Sequence, residues 1–186
     1  MKQDFLTGNL LLAMPNLADA NFIQSVTLVC LHTPEMALGL VVNRPTNLTL
    51  GSLFGHLSLK SVRSEILDQP VYQGGPVQTE RGFILHSPEC SGESTQRIND
   101  QLSMSSSRDV LDAIARGEGP NRFLVTLGYA GWESGQLERE ISQNAWLSSP
   151  VDPDLIFTLP PEKRWAVAAE RIGVRMDHLS IDAGHA

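Results

Sequence analysis

The sequence predicts an α+β domain, and three observations carry that prediction. Strand-like and helix-like segments follow one another without strict alternation: strand pair, helix, strand pair, loop, helix, strand, helix, strand, helix. That order disfavours a doubly wound parallel sheet. The composition, 41% hydrophobic and 19% charged, is that of a chain that packs a core. No internal repeat, low-complexity tract or composition shift divides the 186 residues, so residues 1–186 read as one domain.

Ser25 to His32 (SVTLVCLH) and Ala37 to Asn43 (ALGLVVN) are β-rich runs joined by Thr33-Pro34-Glu35-Met36, which predicts a hairpin. Period two puts Val26, Leu28, Cys30 and His32 on one face, and Thr27, Val29 and Leu31 on the other. Both faces are largely apolar, so this strand should be central. Pro45 cannot donate to a ladder and ends the second run. Thr49 to Leu57 is a short helix with Thr49 as N-cap and Leu50, Leu53, Phe54 and Leu57 on one stripe.

Pro70 to Gln73 and Gly82 to His86 are short strands separated by the Gly74-Gly75-Pro76 turn. Pro88 to Ser107 reads as a polar loop holding one irregular hairpin. Arg108 to Arg116 is a helix, capped by Ser106 or Ser107 and closed by Gly117, with Val110, Leu111 and Ile114 inward. Phe123 to Tyr129 is a strand, Trp132 to Ser142 a helix and Leu155 to Leu159 a strand. The last helix runs from Pro161 to Ile172, with Trp165, Ala168, Ala169 and Ile172 facing the core and Gly173 as its stop.

The net charge is −7, from 14 Lys+Arg against 21 Asp+Glu. That field opposes a phosphate backbone, so direct nucleic-acid binding is not expected. Cys30 and Cys90 are too few for a disulfide scaffold and read as free thiols in a reducing cytosol. No apolar run reaches the ~20 residues that span a bilayer. Lys2, Leu10 to Met14 and Ala18-Asp19-Ala20 mimic the parts of a signal peptide. Pro15 and Asn16 cut the apolar stretch short, however, and Asp4 stands where positive charge belongs. The expectation is a cytoplasmic protein with no membrane contact.

Candidate chemistry is sparse. Gly128-Tyr129-Ala130-Gly131-Trp132 follows a strand and is expected to open a helix, where backbone N–H groups can hold an anion. It matches neither G-x-G-x-x-G nor a Walker loop, and turn chemistry alone explains its glycines. Gly74-Gly75-Pro76-Val77, with Arg81 nearby, is an anion nest or a plain turn. In Asn43-Arg44-Pro45, after an apolar strand, Arg44 can clamp a carboxylate or phosphate, or pair with an acid of the chain. His86 closes a strand; no G-x-S-x-G elbow accompanies it, and it reads as bonded to the adjoining loop. Cys30 and His32, on one strand face, could make a nucleophile pair or two metal ligands, but the other ligand candidates (His56, His86, Cys90) have no standard spacing and Cys30 reads as a small buried hydrophobe, so no metal or cofactor is expected. Glu138 and Glu140 read as a solvated helix face.

The same stretches resemble the AlgH/YqgE proteins, a bacterial family largely of unknown function, some of whose members are labelled transcriptional regulators. The resemblance rests on Leu11-Leu12-Ala13-Met14-Pro15 with Asp19, Gly39-Leu40-Val41-Val42-Asn43-Arg44-Pro45, and Gly74-Gly75-Pro76-Val77 with Arg81 to His86. It continues through Asp109-Val110-Leu111 with Ala113-Ile114-Ala115, Gly128 to Trp132 with Gly135-Gln136-Leu137-Glu138, Asn144 to Leu147, and Ala183-Gly184-His185-Ala186. It implies a mixed, bifurcated β-sheet folded into a pseudo-barrel with short flanking helices, and it supplies no settled catalytic residues. Leu31 departs from the pattern, since relatives often carry Glu there.

Two readings follow. The first is a non-enzymatic regulatory or interaction protein that binds a protein partner or a small ligand; the family label favours it, and no helix-turn-helix signature accompanies it. The second is an enzyme or binder of a small anionic molecule using Asn43, Arg44, Gly74, Gly75, His86, Gly128 and Gly131. The second requires those residues to converge in space.

Overall fold

The structure, a computed structural model, describes residues 5–175. Lys2, Asp4 and the Ala183 to Ala186 tail lie outside the described residues.

The apolar part of the stretch that mimics a signal peptide, Leu10 to Met14, falls in strand β1 (Asn9–Ala13) but for its last residue. Its leucines Leu10, Leu11 and Leu12 are fully buried. β2 (Val26–His32) and β3 (Met36–Val41) form the expected hairpin, with a bulge between Val29 and Leu31. β4 (Pro45–Thr49) begins at the proline that was expected only to end a strand. It pairs with β5 (Pro70–Gln73) alone, the edge position where a missing N–H does no harm. Between them lies α1 (Leu50–His56), whose N-cap Thr49 accepts from Ser52 N as its sequence promised.

β6 (Val77–His86) is longer than Gly82 to His86 and is irregular between Val77 and Gly82. β7 (Gln96–Arg97) and β8 (Ser103–Ser105) are the irregular hairpin expected within the polar loop. α2 (Arg108–Ala115) follows its N-cap Ser107.

β9 (Phe123–Glu133) corrects the next expectation. Trp132 does not open a helix: it pairs with Ala37 of β3, and that pairing carries the strand on to Glu133. The helix α3 (Gln136–Ser142) starts only after Gly135, which turns the chain at φ 71°. β10 (Trp146–Pro150) pairs with β1. The expected strand Leu155 to Leu159 is instead α4 (Pro153–Phe157). Asp152 caps it by accepting from Asp154 N, Pro153 stands in its first turn, and Leu155 and Ile156 are buried. α5 (Pro161–Arg171) closes the described chain, and Gly173 stops it at φ 79°.

The strand order is β10-β1-β2-β3-β9-β6-β8-β7, with β5 and β4 branching off β9. One edge of β9 pairs with β6. The other edge takes β5 in parallel at Thr126 and Leu127, then β3 in antiparallel from Ala130 to Glu133. The sheet therefore forks at β9, as the resemblance implied, and the fold is a curled, mixed α+β arrangement with short helices.

Both faces of the sheet are covered. Strand alternation sends Leu10, Leu12, Phe83 and Leu85 to one cluster with Trp165 and Ala168 of α5. It sends Leu11 to a second cluster with Trp132, Leu137 and Trp146. Ile84 and Val125 face a third with Phe54 of α1 and Ile114 of α2. Each large apolar side chain so buried contributes about 1.5–3 kcal/mol.

Candidate functional site

The glycines gather at the fork. Gly74 N donates to Leu127 O, and Gly74 O accepts from Val41 N, so Gly74 bridges the two strands that share one edge of β9. A Cβ on Gly75 would sit 2.1 Å from the Tyr129 carbonyl carbon, and one on Gly128 would sit 2.4 Å from Gly75 O. The backbones meet there with no room for a side chain. Gly131 is exposed on β9 and a Cβ there would only touch the Tyr129 ring, at 3.4 Å.

Asn43 and Arg44 hold a loop of the chain itself. Asn43 Oδ1 accepts from Val26 N at 2.9 Å, and its Nδ2 donates to Gln24 O at 2.9 Å. Arg44 Nη2 donates to Ile23 O at 2.7 Å, and its Nη1 donates to Asn21 O. No acid of the chain forms an ion pair with Arg44 among the described residues.

His86 lies elsewhere. It pairs with Phe123 at the start of β9, about 17 Å of strand from Gly128. It is fully buried. Its Nδ1 is 2.8 Å from Ser87 O, an acceptor only, so Nδ1 carries the proton. Nε2 then accepts from Ser105 Oγ at 2.8 Å, and Ser105 Oγ meets Thr95 Oγ1 at 2.7 Å. This is the loop-bonded histidine the sequence suggested. Gly75 thus packs against β9 beside Gly131, and Arg44 lies near it, its carbonyl accepting from Gln73 N, while His86 stands apart at the far end of β9.

Burial pushes the His86 pKa below 6.5, against smaller opposing effects of the Ser87 carbonyl and the Glu89 charge. The unfolded chain then binds more protons at mildly acidic pH, so stability rises with pH. The His86 contribution is complete above pH 6.5 and is lost as pH falls toward its lower folded value. Denaturant unfolding should give lower stability at about pH 5.5 than at about pH 7.5. An NMR titration placing the ring's pKa at or above its ordinary value would contradict this.

Cys30 and His32 make no pair. Cys30 is buried in the core and donates to Leu28 O at 3.6 Å. Burial pushes its thiol up to about 12, which leaves it an inert thiol at neutral pH. His32 Nε2 donates to Glu138 Oε1 at 3.0 Å, and its Nδ1 accepts from Leu6 N at 3.1 Å. Glu138 therefore holds the His32 ring in the tautomer that carries its proton on Nε2. Glu140 is no solvated residue either: its Oε2 accepts from Trp132 Nε1 at 2.9 Å and Trp146 Nε1 at 2.8 Å. Among the described residues no cluster of three or more metal-ligating side chains forms.

A cleft of about 280 Å³ opens between α4, α5, β5 and the start of β9. Three arginines from three elements line it: Arg63 after α1, Arg122 before β9 and Arg164 of α5. Arg164 is 4% exposed. Its Nε donates to Leu159 O at 2.9 Å, its Nη1 to Val42 O, and its Nη2 to the Tyr72 hydroxyl at 3.4 Å. It also lies over the Tyr72 ring, 5.4 Å from the centroid. Burial lowers its pKa, with Tyr72 and Glu162 opposing, yet a guanidinium stays charged. Arg164 has no carboxylate partner among the described residues. The other two arginines do: Arg122 Nη1 to Asp154 Oδ1 at 2.6 Å, and Arg63 Nε to Glu65 Oε1 at 2.7 Å. Arg122 also covers the Phe157 ring at 5.3 Å.

Comparison with known proteins places the chain. The family model described as AlgH-like (DUF179) matches residues 10–177. The chain belongs to the AlgH-like family. A UPF0301 protein of Thioalkalivibrio sulfidiphilus is 49% identical over 180 residues, covering 97% of this chain and 96% of that one. A UPF0301 protein of Burkholderia vietnamiensis is 51% identical over 183 residues, covering 97% and 95%. The solution structure of AlgH from Pseudomonas aeruginosa, 47% identical, superposes with a TM-score of 0.80 and covers 100% of this chain and 98% of that one. A Corynebacterium diphtheriae protein, 20% identical, shares the fold at a TM-score of 0.70 over 89% and 86%.

The arginine cleft of this AlgH-like protein is hardly legible in the sequence. One signal was present. Arg164 is four residues before Ala168, so it stands on the same helical stripe as Trp165, Ala168 and Ala169, and a cation on a core stripe needs an explanation. Arg63 and Arg122 carried no such signal. No helix of the described residues is long and apolar enough to cross a membrane.

Proposed function

We propose that this AlgH-like protein is a non-enzymatic regulatory protein of the bacterial cytoplasm that works by binding a small anionic ligand in the arginine cleft. The observation that carries the reading is Arg164, a buried guanidinium without a carboxylate partner among the described residues, on the wall of a 280 Å³ hollow with two further arginines. Buried charges are ordinarily paired. Bonds to three neutral oxygens use three of the five guanidinium N–H donors. An anion would supply the missing counter-charge. The arginines also favour binding over catalysis, because guanidiniums neither take up nor release protons near neutral pH. Direct nucleic-acid binding stays outside the proposal, given the net charge of −7.

A second reading has its own support: an apolar groove of about 200 Å³ between α1, α2 and β6, lined by Leu53, Leu57, Phe83 and Leu111. It suits an interaction protein that engages a protein partner without a ligand.

Thermal unfolding in inorganic phosphate, sulfate and succinate separates the two. An anion at 100 times its dissociation constant adds about 2.7 kcal/mol, a rise of roughly 5–10 °C for a chain of this size. Arg122→Gln removes an exposed ion pair, so stability should change by less than about 1 kcal/mol while anion affinity falls about tenfold. Unchanged melting in all the anions would remove the anion reading and leave the protein-partner one.

A further inference from the structure

We infer that the ligand of the arginine cleft is a phosphomonoester of a small polyhydroxylated molecule, a sugar phosphate in chemical class. The inference rests on the anion-cleft reading above and goes on to name the ligand.

The charged part of the cleft argues for phosphate over carboxylate. A carboxylate has two oxygens in one plane and is matched by one guanidinium in fork geometry. Here Arg63, Arg122 and Arg164 come from three separate elements and face one hollow. A phosphomonoester offers three tetrahedral oxygens and up to two charges, so it can be shared among donors that approach from different directions. Arg164 is anchored by Leu159 O, Val42 O and Tyr72, and so is held in place before any ligand arrives. Arg122 and Arg63 are now paired with Asp154 and Glu65, whose side chains are 72% and 63% exposed. Pairs of that kind are worth about 0–1 kcal/mol, so a dianion can take over either arginine at little loss.

The neutral part of the cleft argues for hydroxyl groups. Gln69 and Asn121 lie exposed on its lining. Gln69 uses its backbone N–H toward Ile66 O, and Asn121 uses its own toward Glu89. Among the described residues neither side-chain amide has a hydrogen-bond partner. A primary amide both donates and accepts, which matches a hydroxyl that does the same. The Phe157 ring and Pro70 on the same lining suit the C–H face of a sugar ring. The volume, about 280 Å³, falls at the small end of ligand pockets, which run from roughly 300 to 1,000 Å³. That size favours one sugar phosphate over a dinucleotide.

The test is calorimetric titration of the intact protein with ribose 5-phosphate, inorganic phosphate, ribose and succinate. Ribose 5-phosphate should bind about tenfold more tightly than inorganic phosphate, the equivalent of one or two net hydrogen bonds. The double variant Gln69→Ala with Asn121→Ala alters exposed side chains only. It should bring the two phosphates within about twofold of each other and leave inorganic phosphate unchanged. Arg122→Gln should weaken both. Equal binding of the two phosphates by the unaltered protein would overturn the sugar-phosphate inference while leaving the anion reading intact, as would succinate binding more tightly than either. A preference that survives the double variant would also overturn it. Failure of every anion to bind would remove the underlying reading as well.

Discussion

Gly75→Ala is expected to destabilise the protein by more than about 4 kcal/mol and to lower its melting temperature by about 10 °C or more. The added methyl would stand 2.1 Å from the Tyr129 carbonyl carbon and 2.2 Å from its oxygen. Those atoms belong to β9, which pairs with β6 through Val77 and Tyr129 and with β3 through Ala130. Neither backbone can move aside without breaking a ladder, so the overlap turns into lost strand pairing. The matched control is Gly55→Ala. Gly55 lies within α1, and a Cβ there meets nothing within 4 Å. That change should be neutral or stabilise by about 0.5–1 kcal/mol, since alanine is the better helix former. Thermal and denaturant unfolding of the two variants side by side checks both statements. Equal melting would mean that the fork is looser than its backbone contacts require.

The second large effect is expected at Glu140. Its Oε2 receives both indole N–H groups, from Trp132 and Trp146, and its Oε1 receives Gln136 Nε2 at 2.9 Å. The indoles are 4% and 2% exposed and pack edge to face with centroids 6.0 Å apart. Glu140→Ala leaves two buried donors without an acceptor. Each unmade bond costs about 1–3 kcal/mol, so a loss of roughly 3–5 kcal/mol is expected, again near 10 °C in melting temperature. Glu140→Gln keeps an amide oxygen that can accept from both indoles, and it loses the charge assistance and the bond from the half-buried Gln136 amide. It should cost less than half as much. Unfolding followed by tryptophan fluorescence reports directly on this pair. If the alanine variant melts with the unaltered protein, water has reached the indoles and the carboxylate is dispensable.

These two residues also mark where the sequence could be read and where it could not. Glu140 stands among charged residues in an ordinary helical pattern, and its neighbours in sequence suggest a wet face. Its partners come from β9 and β10, on either side of α3, and meet only when the chain closes. Gly128 and Gly131 looked like a loop that opens a helix, because glycine after a strand ordinarily does. The pairing of β3 with the end of β9 overrode that local preference. At Leu155 to Leu159, where a strand is expected and a helix forms, the deciding signals are local. Asp152 before Pro153 is a helix start, and the cap bond to Asp154 N is made.

The sequence by itself determined the local elements whose signals repeat within a turn or two: the β2–β3 hairpin, α1 behind its Thr49 cap, α2, and α5 behind its proline. Its motifs also carried the family. Tertiary structure alone decided the fork at β9, the carboxylate beneath two indoles, and the cleft where arginines from three elements meet. The physical reason is range. Caps, turns and periodicity are settled among residues a few positions apart, whereas strand sharing, buried polar bonds and a binding hollow depend on segments that only the folded core brings into contact.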